Sequence, residues 1–280
     1  MIWLLPAAAC SILIAAILKV NEGRGGDRLL LTGANYIVAS GLGLLLLGGR
    51  PGVPSTAALG LGAVTGIDYV LTILVLMTGI SRGPLAVPVT VMRLSVAVPV
   101  VASIFLWSEN PSAAQWGGIA LGIAAITLFG LGISSRSGGA GAKRGFWPLM
   151  LAIFVLTGLA SVLLKTFSDI SSGPESLQFT WILFTFAGIF TWIIIRTMKI
   201  AFNRGTFLLG MLLGVPNLFS TVFTLRALEG VPASIVFPFI NVTVIFGATV
   251  LGFFVWKESL GGRAIAGLLL AAAALVLLPL

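Results

Sequence analysis

Ten apolar stretches, each about 20 residues long, take up almost the whole of this 280-residue chain. They run at about 2–20, 29–48, 57–80, 84–107, 113–133, 146–168, 175–198, 206–229, 232–256 and 261–279. A helix needs roughly 20 apolar residues to cross the hydrocarbon of a bilayer. Only 9% of the residues are charged and 58% are hydrophobic, where a soluble domain would carry about 25% charged residues. That leaves too little polar surface to cover a water-facing globule, so the solvent is lipid. A β-barrel would need short segments of alternating polarity, and these runs are continuous. Helices also satisfy their backbone hydrogen bonds internally, as lipid demands. The expected fold class is an all-α membrane protein with ten transmembrane helices.

The chain also repeats itself. Trp107-Ser108-Glu109 returns as Trp256-Lys257-Glu258, 149 positions later. Each copy follows a proline-marked apolar stretch (Pro88, Pro238) and precedes one with a glycine at the same offset (Gly118, Gly267). Ala15-Ala16-Ile17-Leu18-Lys19 matches Ser161-Val162-Leu163-Leu164-Lys165 at an offset of 146. At offset 149, Asp68 falls on Asn217, and Arg93 falls on Val242, between Asn241 and Thr243. The small, basic segment 134–145 reads as a solvated linker. It separates a first five-helix repeat, 1–133, from a second, 146–280.

An odd number of spans per repeat forces the repeats into opposite orientations. The charges agree. In the first repeat the basic loops hold Lys19, Arg24, Arg28 and Arg82. Their equivalents in the second hold Asp169, Glu175, Arg226 and Glu229, and the basic residues have moved to Arg196, Lys199, Arg204, Lys257 and Arg263. Inverted repeats produce that swap. It makes the basic loops cytoplasmic and leaves both termini outside a multi-pass protein of the cell membrane.

Other function classes are poorly served. The net charge of +8 sits singly at span ends, apart from Lys143-Arg144 with Arg136 nearby, so no nucleic acid is expected as a partner. With one cysteine and no histidine, no disulfide, zinc site or histidine-based acid–base pair forms within the chain. No metal, cofactor or enzymatic activity is expected. Cys10 reads as part of the first span, with no cleaved signal.

Together these residues resemble the drug/metabolite transporter superfamily, EamA type, over essentially the whole chain. The likeness rests on Lys19 and Lys165 closing spans 1 and 6, on the prolines of spans 4 and 9, and on two segments. These are Trp-Ser-Glu-Asn-Pro-Ser-Ala-Ala-Gln-Trp-Gly-Gly from Trp107 and Trp-Lys-Glu-Ser-Leu-Gly-Gly-Arg-Ala-Ile-Ala-Gly from Trp256. The resemblance implies two inverted five-helix repeats, a central cavity lined mainly by spans 1, 3, 4, 6, 8 and 9, and peripheral spans 5 and 10. Small-residue spacings there, Gly118-xxx-Gly122 and Gly267-xxx-Ala271, suit close helix packing. Packing within one chain is the simpler reading of them, for a monomer or a weak homodimer.

The candidate chemistry lies in the deep polar residues. Asp68 and Arg93 sit near the middles of spans 3 and 4, where a charge costs roughly 2.5–3.5 kcal/mol. They lie about 14 and about 11 residues from the turn at Arg82-Gly83, so at 1.5 Å per residue they differ in depth by roughly 5 Å. Two readings follow: an ion pair that holds spans 3 and 4 in register, or a substrate site. An aspartate facing an arginine is a poor proton carrier, and no second carboxylate lies deep in any span, so facilitated transport or exchange is the simpler coupling. Asn35, Tyr36, Tyr69, Asn217, Asn241 and Thr243 complete a polar lining. Lys19 and Lys165 either snorkel to the interface or stand at a cavity mouth. Glu109 and Glu258 read as loop anchors or helix-end partners. Pro88, Pro99, Pro216 and Pro238 permit kinks, and Trp3, Trp107, Trp147 and Trp256 mark the interfacial belt.

The expected function is secondary transport of a small polar or amphipathic metabolite by alternating access, with the lipid bilayer as surroundings. Export of amino-acid-like solutes is what the resemblance favours. Alternatives are carriage of phosphorylated or sugar-like solutes and a non-transporting membrane scaffold or sensor.

Overall fold

The structure is a computed structural model that describes residues 1–50, 52–83, 86–134, 143–171, 175–257 and 261–280, with backbone only at 86 and 129–134. Glu258, Arg136 and most of the expected linker lie outside the described residues. The described residues form helices and no strand. In chain order these are α1 (Leu4–Gly23), α2 (Arg28–Leu46), α3 (Thr56–Arg82), α4 (Ala86–Leu94), α5 (Ala97–Trp107) and α6 (Ala113–Ser134). Then follow α7 (Phe146–Ile170), α8 (Glu175–Thr197), α9 (Arg204–Leu228), α10 (Ala233–Trp256) and α11 (Gly262–Leu277). Among the described residues, eight spans are long and apolar enough to cross a membrane, with Val87–Trp107 taken as one; Gly262–Leu277 is a shorter apolar helix, and α6 is apolar over Ala113–Leu128. Large apolar side chains stand exposed along them, among them Phe105 at 81% and Phe254 at 72%. A water-soluble monomer does not present that much apolar surface; a lipid-facing one must.

Local chemistry sets the helix ends. Asp27 begins α2 by accepting from Leu30 N (2.8 Å), and Asn203 begins α9 by accepting from Thr206 N (2.9 Å). Before α6, Ser112 and Gln115 form a reciprocal capping box: Gln115 N donates to Ser112 Oγ, and Ser112 N donates to Gln115 Oε1. The repeated tryptophans end α5 and α10 in the same way. Ser108 and Lys257 both take left-handed backbone (φ 52), and cap N–H groups bond back to Ser103 O and Gly252 O. Both pairs are 149 positions apart, so the sequence repeat is a repeat of local structure.

The fourth apolar stretch is not one helix. It breaks at Ser95–Val96, between α4 and α5. Pro99 has no N–H to offer the Ser95 carbonyl, and its ring crowds that oxygen. Ser95 O accepts instead from Val98 N (2.9 Å), and Ser95 Oγ donates to Met92 O (2.7 Å). The equivalent of Pro99 in the second repeat is Ala248, and α10 runs through it unbroken. Pro216 and Pro238 lie inside α9 and α10 without interrupting them.

The chain forms two compact units, each drawing on both sides of the 134–145 segment. One comprises 1–70 and 163–230, the other 71–162 and 231–280. In the first, α2 is the central helix, buried from Leu29 to Tyr36 against α8 and α9. A Cβ at Gly214 would lie 2.7 Å from Asn35 O, and one at Gly66 would lie 2.5 Å from Leu183 O. Bare backbone at these two points brings α9 onto α2 and α3 onto α8. In the second unit, Leu76, Phe146, Met150 and Ile153 form one core cluster. Ala125, Val242, Ala271 and Ala274 form another. Gly118 packs against Leu278 and Ala274, and Gly122 against Val242, so the small-residue spacings serve packing within the chain.

Candidate functional site

The first unit gathers five of the expected binding residues: Asn35 and Tyr36 on α2, Asp68 and Tyr69 on α3, and Asn217 on α9. Asn217 Nδ2 donates to Asn35 Oδ1 at 3.1 Å, a bond that depends on the close approach at Gly214. Thr221, one turn beyond Asn217, donates to its carbonyl (3.2 Å). Phe184 of α8 reaches both tyrosines, its ring centroid 5.8 Å from Tyr36 and 6.5 Å from Tyr69. Nothing in the sequence marked Phe184, one aromatic in an apolar run; only the fold shows it.

Asp68 is 3% exposed, and neither carboxylate oxygen has a hydrogen-bond partner among the described residues. Asp68 belongs to the first unit and Arg93, its partner in one of the two readings of the sequence, to the second. Burying a carboxylate without a partner is costly, and such an orphan is the expected mark of a group that meets a ligand or a proton.

The second unit holds Arg93, Asn241 and Thr243. Arg93 stands half-buried in the last turn of α4, beside Val91 and Met92, which pack on the Leu76–Phe146 cluster. Asn241 Nδ2 donates to Phe237 O (3.0 Å), and Thr243 Oγ1 to Phe239 O (2.7 Å). Both bonds stay within α10. Thr243 is thus satisfied by its own helix, and Asn241 keeps its carbonyl oxygen for other partners.

The residues at span ends have local work. Lys165 Nζ lies 4.0 Å from Asp169 Oδ1, one turn away, and Lys19 is half-buried near the end of α1. Cys10 is a free thiol on α1. Glu109 is a helix-end partner: it accepts from Ala233 N (2.8 Å), Ser234 N (2.9 Å) and Ser234 Oγ (2.7 Å) at the start of α10. Burial pushes its carboxyl up, and the Ser234, Ala233 and Ser103 donors outweigh that and hold it below the ordinary value. Sequence reading missed the polar bridges Ser11–Ser220 (2.8 Å) and Ser40–Thr185 (2.7 Å), because a lone hydroxyl in an apolar helix usually bonds its own backbone.

No family model and no curated protein matches the chain. A solved structure, described only as a crystal structure of a protein, superposes on 99% of this chain and 98% of its own with a TM-score of 0.79 at 17% identity. At that identity the likeness is one of fold alone.

Proposed function

We propose that the protein is a secondary transporter of the cell membrane that moves a small polar or amphipathic solute, amino-acid-like in character, by alternating access. The ten apolar segments act as two inverted five-helix repeats of the EamA type, 1–133 and 146–280. Supporting the repeat are the matching left-handed caps at Ser108 and Lys257 and the exchange of basic loops between halves. The observation that carries the reading is Asp68, a deeply buried carboxylate without a hydrogen bond among the described residues, set on α3 beside Tyr69 and in one unit with the Asn35–Asn217 amide pair. A structural aspartate would be paired. One kept for a solute waits for an ammonium group or a proton. Arg93 is the complementary charge for a carboxylate or phosphate on the solute.

Purified protein in proteoliposomes, loaded with radiolabelled amino acids, tests this. Saturable flux that falls at least about tenfold in Asp68→Asn, as loss of one charge-assisted bond implies, supports it. Flux of sugar phosphates but not amino acids would move the reading to phosphorylated solutes. No flux of either, with folded protein, would favour a scaffold or sensor.

A further inference from the structure

The last turn of α8 carries a second site, separate from the buried carboxylate. An open pocket of about 420 Å³ lies there, with Arg196 and Lys199 among its lining residues. Backbone geometry explains how both cations reach it. After Thr197 the chain does not continue the helix. Lys199 turns through left-handed backbone (φ 51), and Ile200 N bonds back to Ile195 O (3.0 Å). The chain thus folds over the end of α8 and returns Lys199 toward Arg196.

The walls are apolar and aromatic, formed by Leu30, Ile195, Trp192 and Phe202. Trp192 is held in place: its indole N–H donates to Gly33 O (3.1 Å). A Cβ at Gly33 would lie 2.7 Å from Ile195 Cδ1 and 3.3 Å from the indole nitrogen. Phe207 joins the two aromatic walls, 6.5 Å from Trp192 and 5.3 Å from Phe202. Arg196 and Lys199 are exposed, and no carboxylate is paired with either among the described residues. The acids nearest in sequence to α2 are engaged elsewhere, Glu22 with Arg28 and Asp27 with Leu30 N. Ile193 and Ile189, about one and two turns before Arg196 on the same stripe of α8, are 51% and 52% exposed.

A pair of uncompensated cations above an exposed apolar stripe, with an indole at the junction, is complementary to one kind of molecule. Arginine grips a phosphate with a planar fork, and lysine adds a point charge. An indole at the boundary of hydrocarbon and water sits at headgroup depth, and the aliphatic stripe suits acyl chains. By the distribution of basic residues this end of α8 faces the cytoplasm, whose leaflet is the one rich in anionic lipid. We propose that this pocket binds the headgroup phosphate of an anionic phospholipid. The proposal needs the membrane setting but not the transport reading.

Thermal shift and native mass spectrometry on the full-length protein in detergent, titrated with phosphatidylglycerol, phosphatidylcholine or inorganic phosphate, test it. Phosphatidylglycerol is expected to raise Tm and to remain bound through detergent exchange, with phosphatidylcholine much weaker. Arg196→Gln with Lys199→Gln should weaken that binding by at least about tenfold. Arg204→Gln, at the first residue of α9 and not lining the pocket, should leave it within about twofold. Equal binding of the two lipids, undiminished binding in the double variant, or an equal loss in R204Q would overturn the proposal. Stabilisation by inorganic phosphate that displaces the lipid would assign the pocket to a soluble anion and overturn it also.

Discussion

At the scale of single residues, burial and bonding separate groups that the sequence lists together. Asp68 and Thr243 are both polar residues deep in apolar stretches. Thr243 bonds to Phe239 O; the Asp68 oxygens bond to nothing among the described residues. Asp68→Asn is therefore expected to leave Tm unchanged or raise it, because removing an uncompensated charge from low dielectric relieves a cost, while flux is lost. A large fall in Tm would mean that Asp68 is structural. The Asn35–Asn217 bond should show the modest coupling of polar pairs in membranes, about 0.6 kcal/mol and no more than about 1.7, in a double-mutant cycle with alanine at each position. Zero coupling would remove it from the site. Asp68 was legible in the sequence because charge in a hydrocarbon span is rare. That its oxygens have no hydrogen bond among the described residues was not, since depth along a helix says nothing about rotation around it, and Phe184 carried no signal at all.

At the scale of elements, apolar length predicts the spans to within a few residues: about 29–48 against Arg28–Leu46, and about 232–256 against Ala233–Trp256. The break at Ser95–Val96 was only half legible. Pro99 permits a kink, yet Pro216 and Pro238 lie in continuous helices, so proline alone does not decide. Pro99→Ala should restore a donor to the Ser95 carbonyl and join α4 to α5, seen as slower amide exchange across 95–99; unchanged exchange would trace the break to something else. Glu109 shows how the repeated signature works, since its carboxylate caps α10. Its folded pKa lies below the unfolded value of about 4.3. Its contribution is thus full above about pH 4.3 and vanishes as pH falls through the folded value. Glu109→Gln should lower stability by about 1 kcal/mol near neutral pH, with the Tm difference shrinking as the carboxylate is protonated in acid. A difference independent of pH would refute the charged cap.

At the scale of the whole molecule, the sequence announces duplication through Trp107-Ser108-Glu109 and Trp256-Lys257-Glu258, and the shared φ of 52° at Ser108 and Lys257 gives that duplication a local structural form. What spacing could not foretell is that the compact units interleave the halves, each taking helices from both sides of the 134–145 segment. A contiguous stretch of sequence need not be a contiguous body when long helices such as α3 and α7 contribute their two ends to different units. The central claim is that the repeats face opposite ways across a bilayer, the arrangement from which the proposed alternating access is built. Single cysteines placed by Ser108→Cys and Lys257→Cys, each in a Cys10→Ser background, and labelled with a membrane-impermeant maleimide in sealed vesicles of known orientation, test it directly. The account predicts labelling of position 108 only from outside and of position 257 only from the cytoplasmic side. Labelling of both from one side would contradict it.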